Sequence, residues 1–263
     1  MKKVLITGAG SYVGTNFKKF LQNYSSKYNI TTISVRDDQW KTMDFSKFDV
    51  IFHVAAVVHK REKKFMEGLY QKVNCDLPVA LAEKAKNEGV KQFIFMSTMG
   101  VYGILGELKK EVVITKETPV NPKTFYAISK LEAEKRLKKF QSEGFIVTIL
   151  RPPMIYGPNS PGNFAKLEKI AKITPIFPKI NNQRSMIHID KFASEVKRYI
   201  DVQRSGIFFS QDDQYIVTSE WVKSIAKKNG KNVHLSRFLG IIFEFFRNAK
   251  IVKKVFGNLI YER

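Results

Sequence analysis

The chain has 263 residues, 44% of them hydrophobic, which is enough for a full α/β core, either as one unit or as that unit with a small added lobe. Its 45 Lys and Arg outnumber 24 Asp and Glu, giving a net charge of +21, but the cations are spread along the chain and form no recognised nucleic-acid motif, so a nucleic-acid partner is not expected. The lone Cys75 excludes an internal disulfide network, and His53, His59, His188 and His234 lack ligand spacing, so no metal site is expected.

Residues 2–6 read as a short buried strand, and from Tyr12 onward Val13, Phe17, Phe20 and Leu21 follow helical spacing. Gly8, Gly10 and Gly14 fall in the turn between strand and helix and in the helix's first turn. Such a turn places backbone N–H groups and a positive helix end where a diphosphate can sit, and glycine lets the main chain approach closely. A plain tight turn would carry the same glycines.

Further strands are expected over residues 30–35, 49–56, 92–97 and 145–150, with helical patterns over 77–88 and 126–140. This alternation predicts a doubly wound parallel sheet, whose ligands lie beyond the carboxyl ends of the strands. Distinctive residues fall at those ends: the glycine turn, Arg36, Ala55 and Ala56, Thr98, and Arg151-Pro152-Pro153. Cys75 is expected to pack, and His188 and Asp190 to make structural hydrogen bonds.

Tyr126 and Lys130, four residues apart, share one face of a helix. A phenol titrates near 10, so proton exchange at neutral pH calls for a nearby cation; a drop of about three units corresponds to roughly 4 kcal/mol. In a lysine-rich chain the same spacing also arises by chance.

Taken together, the glycine turn, His53-Val54-Ala55-Ala56, Val73-Asn74, the segment from Phe95 to Gly103, the Tyr126/Lys130 pair, the segment from Leu150 to Pro158 and that from Arg184 to Asp190 resemble an extended short-chain dehydrogenase/reductase of the nucleotide-sugar epimerase, dehydratase and reductase family. Segments around 95–103, 152–164, 177–187 and 255–261 resemble its capsule and O-antigen subgroup, which includes C4-ketoreductases of UDP-linked 6-deoxy-N-acetylhexosamines. The resemblance implies a Rossmann-like domain over 1–150 and a small sugar-nucleotide-binding lobe mainly over 151–263, interleaved with it. It implies catalysis by Thr98, Tyr126 and Lys130, with Thr98 on the reacting sugar oxygen, Tyr126 exchanging the proton and Lys130 acidifying Tyr126 while holding the nicotinamide ribose. Cofactor contacts would come from Gly8, Gly10, Ser11, Tyr12, Val13, Gly14, Arg36, Asp44, Phe45, Ala55, Ala56, Asn74, Tyr126, Lys130 and Pro153. The UDP-sugar would meet Thr98, Asn163 and Arg184, and the protein would be a cytoplasmic homodimer.

Three departures from the family pattern select among its branches. Ser11 stands where glycine is common. Arg36 stands where NAD-preferring members place a carboxylate; a guanidinium attracts a 2′-phosphate, so NADP(H) is favoured, while Asp37 and Asp38 leave NAD(H) open. Trp40 nearby either covers the adenine or packs. Met99 and Gly100 stand where sugar 4,6-dehydratases carry Asp-Glu, and neither can transfer a proton, so dehydration is disfavoured. A ketoreductase is the first reading, a UDP-sugar 4-epimerase with bound NAD the second and a non-catalytic dinucleotide sensor the third.

From residue 238 to 261 large apolar residues alternate with Arg247, Lys250, Lys253 and Lys254. This stretch fits peripheral contact with the inner face of a membrane, or a helix pair covering the sugar lobe or a subunit interface. The apolar start is too short and glycine-rich for a signal peptide, and no run is long enough to span a membrane.

Overall fold

A computed structural model describes residues 1–58 and 62–263; His59 lies outside the described residues. In chain order the elements are β1 (Lys2–Thr7), α1 (Tyr12–Gln22), β2 (Tyr28–Ile33), α2 (Gln39–Thr42), β3 (Val50–His53), α3 (Glu67–Gln71), α4 (Leu77–Asn87) and β4 (Gln92–Met96). There follow β5 (Val113–Ile114), α5 (Phe125–Lys138), β6 (Ile146–Leu150), β7 (Met154–Tyr156), α6 (Asn163–Ile173), β8 (Ile176–Pro178), β9 (Met186–His188) and α7 (Ile189–Val202). The chain ends with β10 (Gly206–Phe208), α8 (Thr218–Lys228), β11 (His234–Ser236), α9 (Arg237–Phe245), α10 (Lys250–Phe256) and β12 (Ile260–Tyr261).

These elements divide into two compact units. The first comprises Met1–Gly103, Val120–Pro153 and Ile189–Ser210. Its sheet has six parallel strands in the order β10-β6-β4-β3-β1-β2, a Rossmann-like doubly wound arrangement. The central strands are apolar runs because both faces are covered: Val4, Leu5, Ile6, Val50, Ile51 and Phe52 are fully buried. Residues 189–210, beyond the expected domain boundary, supply α7 and the edge strand β10, with three residues each from β6 and β10 in register.

Strand ends are set by hydrogen bonding at the ligand-facing edge. β2 stops at Ile33, earlier than expected, because the Ile33 carbonyl accepts from both Gly8 (2.9 Å) and Ala9 (3.1 Å) as the glycine turn crosses it. β3 stops at His53, not at residue 56, because the N–H groups of Val54 and Ala55 both turn to the Thr7 carbonyl at 3.1 Å.

The second unit comprises Ile104–Pro119, Met154–His188 and Gln211–Arg263. Three short parallel strand pairs, β5 with β12, β7 with β9 and β8 with β11, tie its segments together. Helices α6, α8 and α10 close over a core that includes Leu167, Ala171, Phe177, Val222, Ile225, Val252 and Phe256. No helix among the described residues is long and apolar enough to cross a membrane.

Candidate active site

The glycine turn is built by steric demand at two positions. Gly8 has φ of +109°, and a Cβ there would lie 2.9 Å from the Ala55 nitrogen. A Cβ on Gly14 would lie 2.8 Å from Ser11 Oγ and 2.9 Å from the Gly8 carbonyl, so α1 starts hard against the end of β1. Ser11, the departure from the glycine pattern, is the N-cap of α1, its Oγ accepting from the Gly14 N–H at 3.0 Å. Tyr12 and Val13 open the helix, where main-chain N–H groups have no intrahelical acceptor. Next to them Gly10 is exposed, with nothing within 4 Å of a Cβ placed on it. An open glycine edge beside a positive helix end fits a dinucleotide diphosphate. Gly8→Ala is expected to cost about 1–3 kcal/mol of backbone strain and to weaken NAD(P)H binding, read by thermal melting and by fluorescence titration.

Ala55 and Ala56 lie on the loop after β3, and Asn74 holds that loop in place. Asn74 is fully buried; its Oδ1 accepts from the Val57 N–H at 2.8 Å and its Nδ2 donates to the Val57 carbonyl at 3.1 Å and to Ser129 Oγ at 3.3 Å. It sits in a π-helical turn, Lys72–Asp76, an irregularity frequent at functional sites. With Ser129 on α5, Asn74 couples the loop to the helix that carries Tyr126 and Lys130.

Arg36 is exposed three residues past β2. Of its acidic neighbours, Asp37 accepts from the Gln39 N–H at 3.2 Å and Asp38 pairs with Lys41 at 3.0 Å. Trp40 packs in the core with Leu5 and Phe45. Asp44 accepts from the Ser46 N–H at 3.0 Å; hydrogen bonds from Ser46 hold its carboxyl below the usual range. The Phe45 ring is fully buried and its N–H donates to Glu88, so its side chain is a core element. Cys75 packs in the same core and burial raises its thiol.

Thr98, two residues past β4, caps the 3₁₀ turn Met99–Tyr102, its Oγ1 accepting from the Gly100 N–H at 3.0 Å. Thr124 caps α5 through the Ala127 N–H at 3.1 Å. Glu62, which the sequence pattern did not mark, accepts from the first N–H groups of α5, Phe125 at 2.9 Å and Tyr126 at 3.1 Å. The helix end bearing the tyrosine is therefore fixed by a carboxylate at its positive pole.

Burial pushes the Tyr126 phenol up to about 12; a hydrogen bond from Thr98 draws it down and Tyr70 nearby pushes it up. Burial depresses Lys130 to about 7, with Glu134 opposing. Lys130 is completely enclosed, its Nζ donating to the Met96 carbonyl at 2.8 Å and lying 4.5 Å from the Phe95 ring centroid. Burial is the largest influence on both groups, and Lys130 is not among the influences on the Tyr126 phenol.

Tyr126, Lys130 and Glu134 form one stripe along α5. Glu134 accepts from Arg151 Nε at 3.0 Å and 3.2 Å and from Arg151 Nη2, and accepts a further hydrogen bond from the Ser97 hydroxyl. Arg151 Nη1 reaches Tyr102 Oη at 2.9 Å. This buried network brackets Thr98 on both sides, at Ser97 and Tyr102. His53 Nδ1 pairs with Thr7 Oγ1 at 2.7 Å; burial, with Lys130 nearby, holds the ring well below its usual pKa and hence neutral. Pro153 follows β6, and the Pro152 carbonyl accepts from the Met99 N–H at 2.9 Å.

Asn163 and Arg184 belong to the second unit. Asn163 is exposed at the first residue of α6. Arg184 donates from Nη1 to the Gly257 carbonyl at 2.9 Å, and burial lowers its guanidinium to about 10. The His188 N–H donates to Asp212 Oδ1 at 3.1 Å. Among the described residues there is no cluster of three or more potential metal ligands.

The family model for the NAD dependent epimerase/dehydratase family matches residues 4–206. The chain is 32% identical over 248 residues to the UDP-glucose 4-epimerase of Vibrio cholerae, covering 86% of this chain and 75% of that one. It is 30% identical over 181 residues to the N-acetyl-alpha-D-glucosaminyl-diphospho-ditrans,octacis-undecaprenol 4-epimerase of Escherichia coli O157:H7, covering 63% of this chain and 53% of that one. In fold it is similar to the dTDP-4-dehydrorhamnose reductase of Bacillus anthracis str. Ames in complex with NADP, with a TM-score of 0.73, 18% identity and coverage of 100% and 91%. It is likewise similar to the UDP-glucuronic acid 4-epimerase of Bacillus cereus in complex with NAD, with a TM-score of 0.72, 20% identity and coverage of 99% and 88%. With a glycine turn at Gly8 to Gly14, Thr98 after β4, and Tyr126 and Lys130 in the first turns of α5, the chain belongs to the NAD-dependent epimerase/dehydratase family and is an NAD(P)-dependent nucleotide-sugar enzyme.

Proposed function

We propose that the protein reduces the C4 ketone of a UDP-4-keto-6-deoxy-N-acetylhexosamine, with NADPH preferred over NADH, in the synthesis of a bacterial surface polysaccharide, capsule or O-antigen. The observation that carries this reading is the sequence Thr98-Met99-Gly100 at the end of β4. Thr98 can hydrogen-bond the reacting oxygen, while Met99 and Gly100 provide neither the acid nor the base that dehydration needs. When bound, the reduced nicotinamide supplies the hydride to C4. Tyr126 gives its phenolic proton to the ketone oxygen, so that one hydride and one proton produce the alcohol. A phenol held at about 12 is protonated throughout the neutral range, as a proton donor in reduction must be. Lys130, one turn along α5, opposes the negative charge left on the phenolate when it is itself protonated.

Arg36 supports NADPH, since its acidic neighbours Asp37 and Asp38 are engaged locally. Arg36→Asp is expected to raise the KM for NADPH by about tenfold or more with little change for NADH. In the second unit, Arg184 is half-buried and its planar fork suits a diphosphate, and Asn163 at the start of α6 is its companion in this reading. The working form is a cytoplasmic homodimer.

A second reading, a UDP-sugar 4-epimerase with retained NAD, is favoured by the identity with the Vibrio cholerae enzyme. Loss of reduced-nicotinamide absorbance on mixing purified protein with UDP-4-keto-6-deoxy-N-acetylglucosamine decides between them. Consumption, faster with NADPH, supports the reductase. No consumption, with interconversion of UDP-hexoses, makes the protein an epimerase; NADPH binding without turnover of either substrate makes it a dinucleotide sensor.

A further inference from the structure

We propose that the outer face of α9 and the start of α10 seats on an anionic lipid bilayer. The orientation of this segment is fixed from the inside. Gly240 is buried, and a Cβ there would lie 2.4 Å from the Lys179 carbonyl oxygen, so only glycine lets α9 approach so closely. Phe243 meets Phe256 edge-on at 5.4 Å, and Phe256 and Val252 are buried in the core of the second unit. With these residues turned inward, Phe238, Ile241 and Phe245 fall on the opposite side at helical spacing, 71%, 55% and 84% exposed. Further along the chain, Phe246 and Ile251 are 62% and 73% exposed. Large apolar side chains gathered in this way mark an interaction surface, whereas scattered single ones would not.

Charge selects the occupant. Between residues 237 and 254 stand Arg237, Arg247, Lys250, Lys253 and Lys254, with Glu244 as the one acid. Glu244 is paired with Lys109 at 2.7 Å, which brings a further cation. An apolar helix face edged by cations is what an interfacial helix presents to acyl chains and anionic headgroups. A second copy of the chain would set the same cations against one another, which works against symmetric self-association through this face. The inference stands apart from the reaction at Tyr126.

Sedimentation of the full chain with phosphatidylcholine vesicles, with and without phosphatidylglycerol, tests it. The protein is expected to pellet with the anionic vesicles, to be released by added salt, and to bind at least about tenfold more weakly as the double variant Phe238→Ser/Phe245→Ser. Both side chains are exposed, and unchanged melting and NADPH binding would show the variant to be folded. Undiminished pelleting of the variant, binding indifferent to lipid charge, or no pelleting of the native chain would each overturn the proposal. So would self-association in sedimentation equilibrium that the double variant abolishes, which would give the face to a second copy.

Discussion

Tyr126→Phe is expected to lower kcat for ketone reduction by about 10²–10⁴-fold while leaving NADPH affinity within about twofold, measured by single-turnover absorbance and by fluorescence titration. The ring keeps its packing and α5 keeps its caps from Thr124 and Glu62, so the variant removes only the hydroxyl, with its proton and its hydrogen bond with Thr98. Because the phenol is held at about 12, wild-type reduction should not lose its donor anywhere between neutrality and pH 10. Lys130, held at about 7, is the site group that changes charge near neutrality. Its ammonium form opposes the charge developing on the phenolate, so kcat is expected to fall as pH rises through about 7, and the inflection to vanish in Lys130→Met. An intact turnover rate in Tyr126→Phe would sink the assignment of the proton donor.

The sheet was legible because its central strands β1, β3, β4 and β6 are short apolar runs of four to six residues, and the turn because Gly8 and Gly14 meet backbone-level crowding that only glycine tolerates. Less legible were strand ends, since Ile33 and His53 are terminal for reasons that lie on neighbouring strands, in hydrogen bonds to Gly8, Ala9 and Thr7. The edge strand β10 is three residues long and carries no periodicity to read. At the site, Tyr126 and Lys130 were visible as a helical pair, but their protonation follows from burial, which spacing does not report. Glu62 could not be found from sequence, because its partners at Phe125 and Tyr126 are distant along the chain. Glu134 could have been found, as it continues the four-residue step from Tyr126 through Lys130. The C-terminal stretch left two readings open, because its pattern does not separate residues that cover a core, Val252 and Phe256, from those that face outward, Phe238 and Phe245.

Glu134→Ala is expected to destabilise the protein by about 3–5 kcal/mol, because it strands the Arg151 guanidinium in a site that is nearly closed to water. For a chain of this size the melting temperature should fall by roughly 10 °C or more. Removing both charges is a different experiment. Glu134→Leu with Arg151→Met takes away the desolvation penalty together with the attraction, and a pair exchanged in this way for apolar residues is often neutral or stabilising. Activity should nonetheless fall in the double variant, since Ser97 loses its acceptor and Tyr102 its donor, and these two residues bracket Thr98. The kcat should drop, because the strand end that carries Thr98 loses both of the hydrogen bonds that flank it. A stable double variant with full turnover would show that the ion pair only fills space between α5 and β6. A stable but slow one would show that a buried charge pair, energetically dispensable, holds the strand end that presents Thr98 to the reacting oxygen.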